Sequence, residues 1–254
     1  MKEESQISAD FLFHFTTKIE HLESILLNYF MPFYCLEKLD YLNLIDSKTN
    51  DSFEMAFPLI CFCDIPTPLQ KNHRFRFGDY GIGLDKSWGI KNRLTPVVYT
   101  HKYSMPSINL KYFAELYERL SDNKITEQEL QGLNNHISYL LMNYKSYEGF
   151  AYIKDQQKFD SKITRFYDER EWRFLPIDCN GLKLNLTRDE FESKTILETE
   201  NRKIQKDNKL KFRLSDIKYL YLKQESEIEP FLKTLNTKYS DSELDEIKQK
   251  ICIV

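Results

Sequence analysis

The chain alternates between strand-like and helix-like stretches. Phe11-Leu12-Phe13-His14-Phe15-Thr16 is an apolar run of strand type. Thr17 and Glu20 follow at capping-box spacing, and Leu22, Ile25, Leu26 and Tyr29 recur at helical intervals, so a strand is expected to feed directly into a helix. Residues 31–53 are too mixed to assign. Residues 55–63 are apolar and run into Asp64-Ile65-Pro66-Thr67-Pro68, which predicts a buried strand stopped by prolines. A short strand is expected at 96–99, and helices at 109–120 and 126–144, the second opened by Thr126 and Glu129. Strands return at 171–175, 181–186 and 217–222. Helices close the chain at about 225–239, with Pro230 near its first turn, and 242–251. No fixed-period repeat or Pro/Gly/Ser-rich linker interrupts this order, so the expectation is one α+β domain over residues 1–254, with a helical insertion at about 109–147.

Composition narrows the class. With 254 residues and 14% aromatics the chain can bury a core and is not of disordered type. No apolar run approaches the roughly 18 residues of a membrane span, and the polar, acidic start is unlike a signal peptide. Five cysteines, an odd number at irregular spacing, are expected as reduced thiols in a cytoplasm. Cys61 and Cys63 would share one strand face, but no second pair completes a zinc site, so no metal is expected. The net charge of −3 argues against indiscriminate nucleic-acid binding, although residues 69–93 carry six cations against Asp79 and Asp85. Four of the seven glycines also fall between Gly78 and Gly89. They fit neither a P-loop nor a dinucleotide fingerprint, and read as flexible backbone bringing Tyr80 and the basic segment against a ligand.

Three groups of residues are candidates for chemistry. His14 sits in an apolar strand with its ring on the face opposite Phe13 and Phe15; a histidine bonded to backbone is the plain alternative. Glu169, Glu171 and Arg173 would share one face of a strand. They read either as a carboxylate pair aimed into a cleft or as an exposed edge whose charges pair with each other. Lys71, Arg74, Arg76, Lys86, Lys91 and Arg93 are interleaved with Phe75, Phe77, Tyr80 and Trp88. That pattern suits a dinucleotide or single-stranded nucleic acid, or else a core with solvated cations.

His14-Phe15-Thr16 running into a helix resembles the opening of ADP-ribosyltransferases, especially the DarT-type toxins that modify single-stranded DNA. Residues 61–66, Tyr80-Gly81-Ile82-Gly83-Leu84, Trp88-Gly89-Ile90 and Glu171-Trp172-Arg173 resemble the AbiGi-type abortive-infection family. The resemblance implies an ADP-ribosyltransferase-like fold of two small packed β-sheets with an NAD cleft between them. It implies that His14 bonds the adenosine ribose, that Thr16 lies at the accompanying NAD-binding position, that Tyr80 stacks on nicotinamide and that Glu171 is the late-strand glutamate, with Glu169-Arg170-Glu171 as a Glu-x-Glu motif. Cys61-Phe62-Cys63 departs from the Ser-Thr-Ser that many members carry there. In such a site Glu171 would stabilise an oxocarbenium-like ribose, Glu169 would orient or deprotonate the acceptor, and Arg74, Arg76 or Arg173 would clamp the pyrophosphate, with no metal. The expected function is an NAD-dependent mono-ADP-ribosyltransferase. It would be the toxin of a phage-defence system, cytoplasmic, with RNA or single-stranded DNA as acceptor and a cognate antitoxin protein as partner. The alternatives are a non-catalytic antitoxin or binding module of the same fold, and an NAD glycohydrolase.

Overall fold

A computed structural model describes residues 8–44, 53–121, 125–153, 158–177 and 182–254. Strand β1 (Phe11–Thr16) leads into helix α1 (Ile19–Asn28), then β2 (Phe33–Lys38) and the long β3 (Glu54–Cys63). A short helix α2 (Lys71–Phe77) precedes β4 (Tyr80–Asp85), helix α3 (Lys86–Lys91), β5 (Thr95–Pro96) and β6 (Val98–Thr100). The insertion consists of α4 (Met105–Ser121) and α5 (Glu127–Met142), followed by β7 (Tyr144–Ser146), β8 (Gly149–Ile153) and β9 (Lys158–Thr164). After β10 (Glu171–Phe174) come α6 (Arg188–Glu192), α7 (Lys194–Asp207), β11 (Ile217–Leu222), α8 (Ile228–Leu235), α9 (Asp241–Gln249) and β12 (Ile251–Ile253).

The class is mixed α and β. In place of two small packed sheets, the main element is an eight-stranded sheet in the order β12-β11-β4-β1-β3-β10-β5, with β2 also on β3; β6-β7 and β8-β9 form two-stranded sheets. The reason lies in β3. Its ten residues are long enough to serve two neighbourhoods: Glu54–Leu59 pair with β2, while Ile60–Cys63 pair with β10 and Cys63 also with Phe13 of β1. The alternation of β3 then splits the core. Phe62 joins Leu12, Leu22, Trp88 and Leu220 on one side, and Phe57 and Leu59 pack against Leu110, Leu141 and Met142 of the insertion. Burying apolar side chains of this size contributes roughly 1.5–3 kcal/mol each.

Several expectations change. The glycine-rich segment is no flexible loop: β4 pairs along its whole length with β1, and a Cβ on Gly81 or Gly83 would stand 2.7 Å from the ring of Phe15 or Phe13. These glycines are close-packing positions beneath aromatic rings. Helix α1 begins at Ile19 with Lys18 at its N-cap and no side-chain cap, so the capping box expected from Thr17 and Glu20 does not form; the Thr16 hydroxyl meets His21 Nδ1 at 2.8 Å. The strand expected at 181–186 is absent among the described residues, which begin at Leu182. Leu182, Leu184 and Leu186 do alternate inward and pack beside β3, but among the described residues the backbone pairs with it at a single bridge, Leu186 with Ala56. The capping box of Thr126 and Glu129 is present.

Candidate functional site

The cavity that gathers the candidate residues has a volume of about 340 Å³. This lies in the range of small-molecule sites, roughly 300–1,000 Å³. Its walls come from β1, β2, the end of β3, helix α2, β7 and the turn into β10. Phe33, Phe77 and Phe150 line it while remaining partly exposed, which gives it an aromatic rim.

Inside, charges alternate along a chain of ion pairs. Arg76 Nη1 donates to Glu169 Oε1 at 2.8 Å, and Lys145 Nζ donates to Glu169 Oε2 and Glu171 Oε2, each at 2.7 Å. Glu171 Oε1 accepts from Arg173 Nε at 2.6 Å, and the Arg173 guanidinium continues to Glu37 and to the Met142 carbonyl. The backbone N–H of Glu171 donates to Tyr99 Oη at 2.8 Å. Three cations thus meet three carboxylates. Arg173 is fully buried, and such a group is tolerated only when its charge and donors are matched.

The local fold explains the convergence. Glu169 is not in the strand: it ends a single helical turn, and Arg170 in the left-handed region (φ 47°) redirects the chain so that Glu171 starts β10 opposite Cys63. Both carboxylates therefore reach Lys145 from different elements. Burial alone would push the Glu171 carboxyl up, but Arg173 and Lys145 outweigh it and hold the group well below the usual 4.5. Burial likewise opposes the Lys145 charge, and Glu169 and Glu171 more than reverse that. Cys61 is pushed up by burial and by Glu171, and Cys63 chiefly by burial, so both face the cavity as thiols.

His14 Nδ1 donates to the Cys61 carbonyl at 2.8 Å, and its ring lies against Phe30 and Phe62. Burial lowers its pKa, which leaves a neutral imidazole whose Nε2 is an acceptor. His73 of α2, against Phe15 and Phe77, is lowered to about 4 by burial and by Arg76.

His14, Arg76, Glu169 and Glu171 therefore share the cavity. Thr16, Tyr80 and Arg74 do not line it. Tyr80 is buried in the core beyond β1, donates to Glu227 Oε1 at 2.7 Å and is pushed up to about 12 by burial and that carboxylate. Arg74 faces Asp79 at 4.0 Å. Sequence reasoning missed Lys145, which no local pattern distinguishes, and Glu37, which lies in the stretch that could not be assigned. Among the described residues no three His, Cys, Asp or Glu side chains are grouped to hold a metal ion, and no helix is long and apolar enough to cross a membrane.

The model of the family described as "Putative abortive phage resistance protein AbiGi, antitoxin" matches residues 28–223. The chain belongs to the AbiGi family. A curated relative, the abortive phage resistance protein AbiGi of Lactococcus lactis subsp. cremoris, is 30% identical over 213 residues, covering 76% of this chain and 82% of that protein. No solved structure is a significant match. The matched AbiGi span contains the whole ion-pair chain from Glu37 to Arg173 and the Arg76 helix, and it begins after His14 and Thr16.

Proposed function

We propose that the chain is the antitoxin-type member of an abortive-infection pair and that its cavity binds a nucleotide such as NAD without consuming it. The description attached to the AbiGi family supports the antitoxin role. The observation that carries the binding role is that both carboxylate oxygens of Glu171 are in buried ion pairs, at 2.6 Å to Arg173 and 2.7 Å to Lys145. A carboxylate that stabilises an oxocarbenium-like centre has to direct its charge at the ribose. Here that charge is already divided between two protein cations, an arrangement that favours a fixed binding wall. The aromatic rim supplies stacking faces for a flat ring, and Arg76, a partly exposed cation on the cavity wall, offers guanidinium donors for phosphate beside its pair with Glu169. The partner is a cognate toxin protein, and the setting is the cytoplasm of an infected cell.

Expression decides the role. The chain expressed alone is expected to leave growth unchanged, and expressed with the toxin encoded beside it to relieve arrest. Growth arrest by the chain alone that disappears in Glu171→Gln would overturn this reading.

A second reading has its own support, since His14, Glu169 and Glu171 line one cavity. It makes the chain an NAD-dependent mono-ADP-ribosyltransferase with RNA or single-stranded DNA as acceptor, or an NAD glycohydrolase with water in that place. Incubation with labelled NAD and a mixture of RNA, single-stranded DNA and lysate protein tests it. Transfer, or release of nicotinamide, that is lost in Glu171→Gln establishes the enzyme; no turnover above the variant's level removes it.

A further inference from the structure

An exposed aromatic platform lies beside the cavity and takes no part in it. Ser146, Phe166 and Glu169 line the cavity, whereas their chain neighbours Tyr147 and Tyr167 do not. The rings of those two tyrosines lie 5.5 Å apart and 31° from parallel, and Tyr167 also meets the Tyr99 ring at 5.4 Å. The backbone brings them together. The Tyr167 N–H donates to the Tyr147 carbonyl at 3.1 Å, and the Tyr147 N–H to the Thr100 carbonyl at 2.7 Å. Strands β6 and β7 are parallel and end on the pair Thr100 and Ser146, so Tyr103 and Tyr147 leave from the same end. Tyr103 is 78% exposed, Tyr167 55% and Tyr147 37%. Exposed rings gathered in this way mark an interaction surface, unlike single aromatics scattered over a protein.

The charges of this surface are open, whereas those of the cavity pair with one another. Arg165 lies over the Tyr147 ring at 5.9 Å and Lys102 over the Tyr103 ring at 5.1 Å. Arg170 follows three residues after Tyr167 and donates its N–H to the Tyr167 carbonyl at 3.4 Å. Among the described residues none of these three cations belongs to an ion pair. Asp168 and Glu148, which follow Tyr167 and Tyr147 in the chain, are exposed and also unpaired. Cations beside stacked rings suit a polyanion that carries flat bases, with phosphates on the cations and bases on the tyrosines. The two carboxylates select within that class. They repel phosphate but accept hydrogen bonds, and the ribose 2′-hydroxyl is a donor that deoxyribose lacks. A protein partner fits less well, because the centre of a protein interface is depleted of charge and the side chains between these rings are charged.

We infer that the surface formed by Tyr103, Tyr147 and Tyr167 with Lys102 and Arg165 binds single-stranded RNA. It lies outside the cavity and goes beyond the nucleotide reading: the strand needs no NAD, and either site can hold its ligand without the other. The bound strand passes the cavity edge, since Tyr147 and Tyr167 each stand next in the chain to a cavity residue. Duplex RNA keeps its bases paired and stacked and cannot offer them to the tyrosines. No local motif announces the platform, because Tyr99 and Tyr103 precede the helical insertion α4 and α5 and Tyr147 follows it.

Fluorescence anisotropy of the full chain without NAD tests this, using end-labelled strands of about twelve nucleotides, within the roughly 4–16 that single-strand sites cover. Single-stranded RNA is expected to bind, and single-stranded DNA of the same sequence to bind about fivefold more weakly, the worth of one hydrogen bond. Tyr147→Ala and Tyr167→Ala are each expected to weaken RNA by about tenfold, whereas Tyr167→Phe, which keeps the ring, binds as the wild type does. Arg165→Gln is expected to weaken binding and lower the salt slope by about one. Asp168→Ala is expected to bring RNA and DNA to the same affinity. Thermal unfolding of each variant checks that it folds, and Tyr167→Phe and Arg165→Gln carry the test if an alanine variant does not. Wild-type strength in the alanine variants overturns the platform, and DNA bound as tightly as RNA overturns the assignment to RNA. Wild-type binding weaker than about 0.1 mM at about 50 mM salt removes the site altogether. If Tyr167→Ala then also fails to relieve arrest by the toxin, the surface is a protein interface and the RNA proposal falls.

Discussion

Glu171→Gln removes the carboxylate that Lys145 and Arg173 share, so two buried cations lose half of their compensation. Breaking a buried pair by deleting one partner is expected to destabilise the fold by about 3–5 kcal/mol, readable as a fall in the urea midpoint. A loss below about 1 kcal/mol would place the pair with exposed salt bridges instead. The same group sets an acid limit. In the unfolded chain its carboxyl takes a proton near 4.5, whereas in the fold it stays ionised far below that value. The stability it contributes is therefore complete above about 4.5 and is lost as pH falls further. His73 acts at higher pH: its folded value is about 4 against 6.5 unfolded, so between those two the unfolded chain binds the proton and stability declines as pH falls. One such proton, bound by the unfolded chain alone, gives a slope approaching 1.4 kcal/mol for each step of one in pH, on the order of 2.3RT. His14 is lowered in the same direction. In urea unfolding at about pH 7.5, 6, 5, 4 and 3.5, His73→Gln is expected to flatten the decline between 6.5 and 4 and leave the Glu171 arm below 4.5 in place; an unchanged slope would show that His73 does not resist protonation in the fold.

Two glycines on different elements separate backbone geometry from helix propensity. Gly78, which ends α2, has φ +108°, and a Cβ there would stand 2.1 Å from the Thr16 carbonyl oxygen. Gly132 lies inside α5 with no atom within 4 Å of such a Cβ. Gly78→Ala is expected to lower stability by about 1–3 kcal/mol from the strained backbone alone, with a further loss from displacing α2. Gly132→Ala is expected to raise it by up to about 1 kcal/mol. Thermal unfolding of the two variants checks both signs. Elements whose apolar period is long and uninterrupted, such as β1, β3, α5 and β11, were legible because local pattern and tertiary burial agree. Strand β2 was not, although Tyr34 and Leu36 do alternate inward: two residues of pattern beside Pro32 carry little signal, and its place depends on pairing with the first half of β3. The Leu182, Leu184 and Leu186 alternation misled for the opposite reason, since inward burial arises there with hardly any ladder. Of the site, His14 was readable as a polar residue in an apolar strand, and Glu171 as one of two carboxylates beside Arg173. Lys145 and Glu37 owe their position to contacts across the fold and have no local counterpart.

The cavity draws its walls from β1, β3 and β10 of the main sheet, from β2, from α2 and from β7 beyond the helical insertion. These parts otherwise belong to separate packing groups, one around Phe62 and Trp88 and another joining β3 to α4 and α5. The ion-pair chain crosses between them, since Arg76, Lys145, Arg173 and Glu37 sit on four different elements. A ligand that touches all of these walls cannot be accommodated by a partly opened molecule, so its binding free energy adds to the stability of the whole fold and not of one loop. On the nucleotide reading, NAD at one hundred times its dissociation constant is expected to raise the unfolding free energy by about 2.7 kcal/mol. Hydrogen exchange is expected to slow together in β2, α2, β7 and β10. Protection confined to α2 would mean that the ligand rests at the aromatic rim and leaves the ion-pair chain untouched. Slowing across all four elements, lost in Lys145→Met, would show that the buried lysine couples the insertion to the sheet through the occupied cavity.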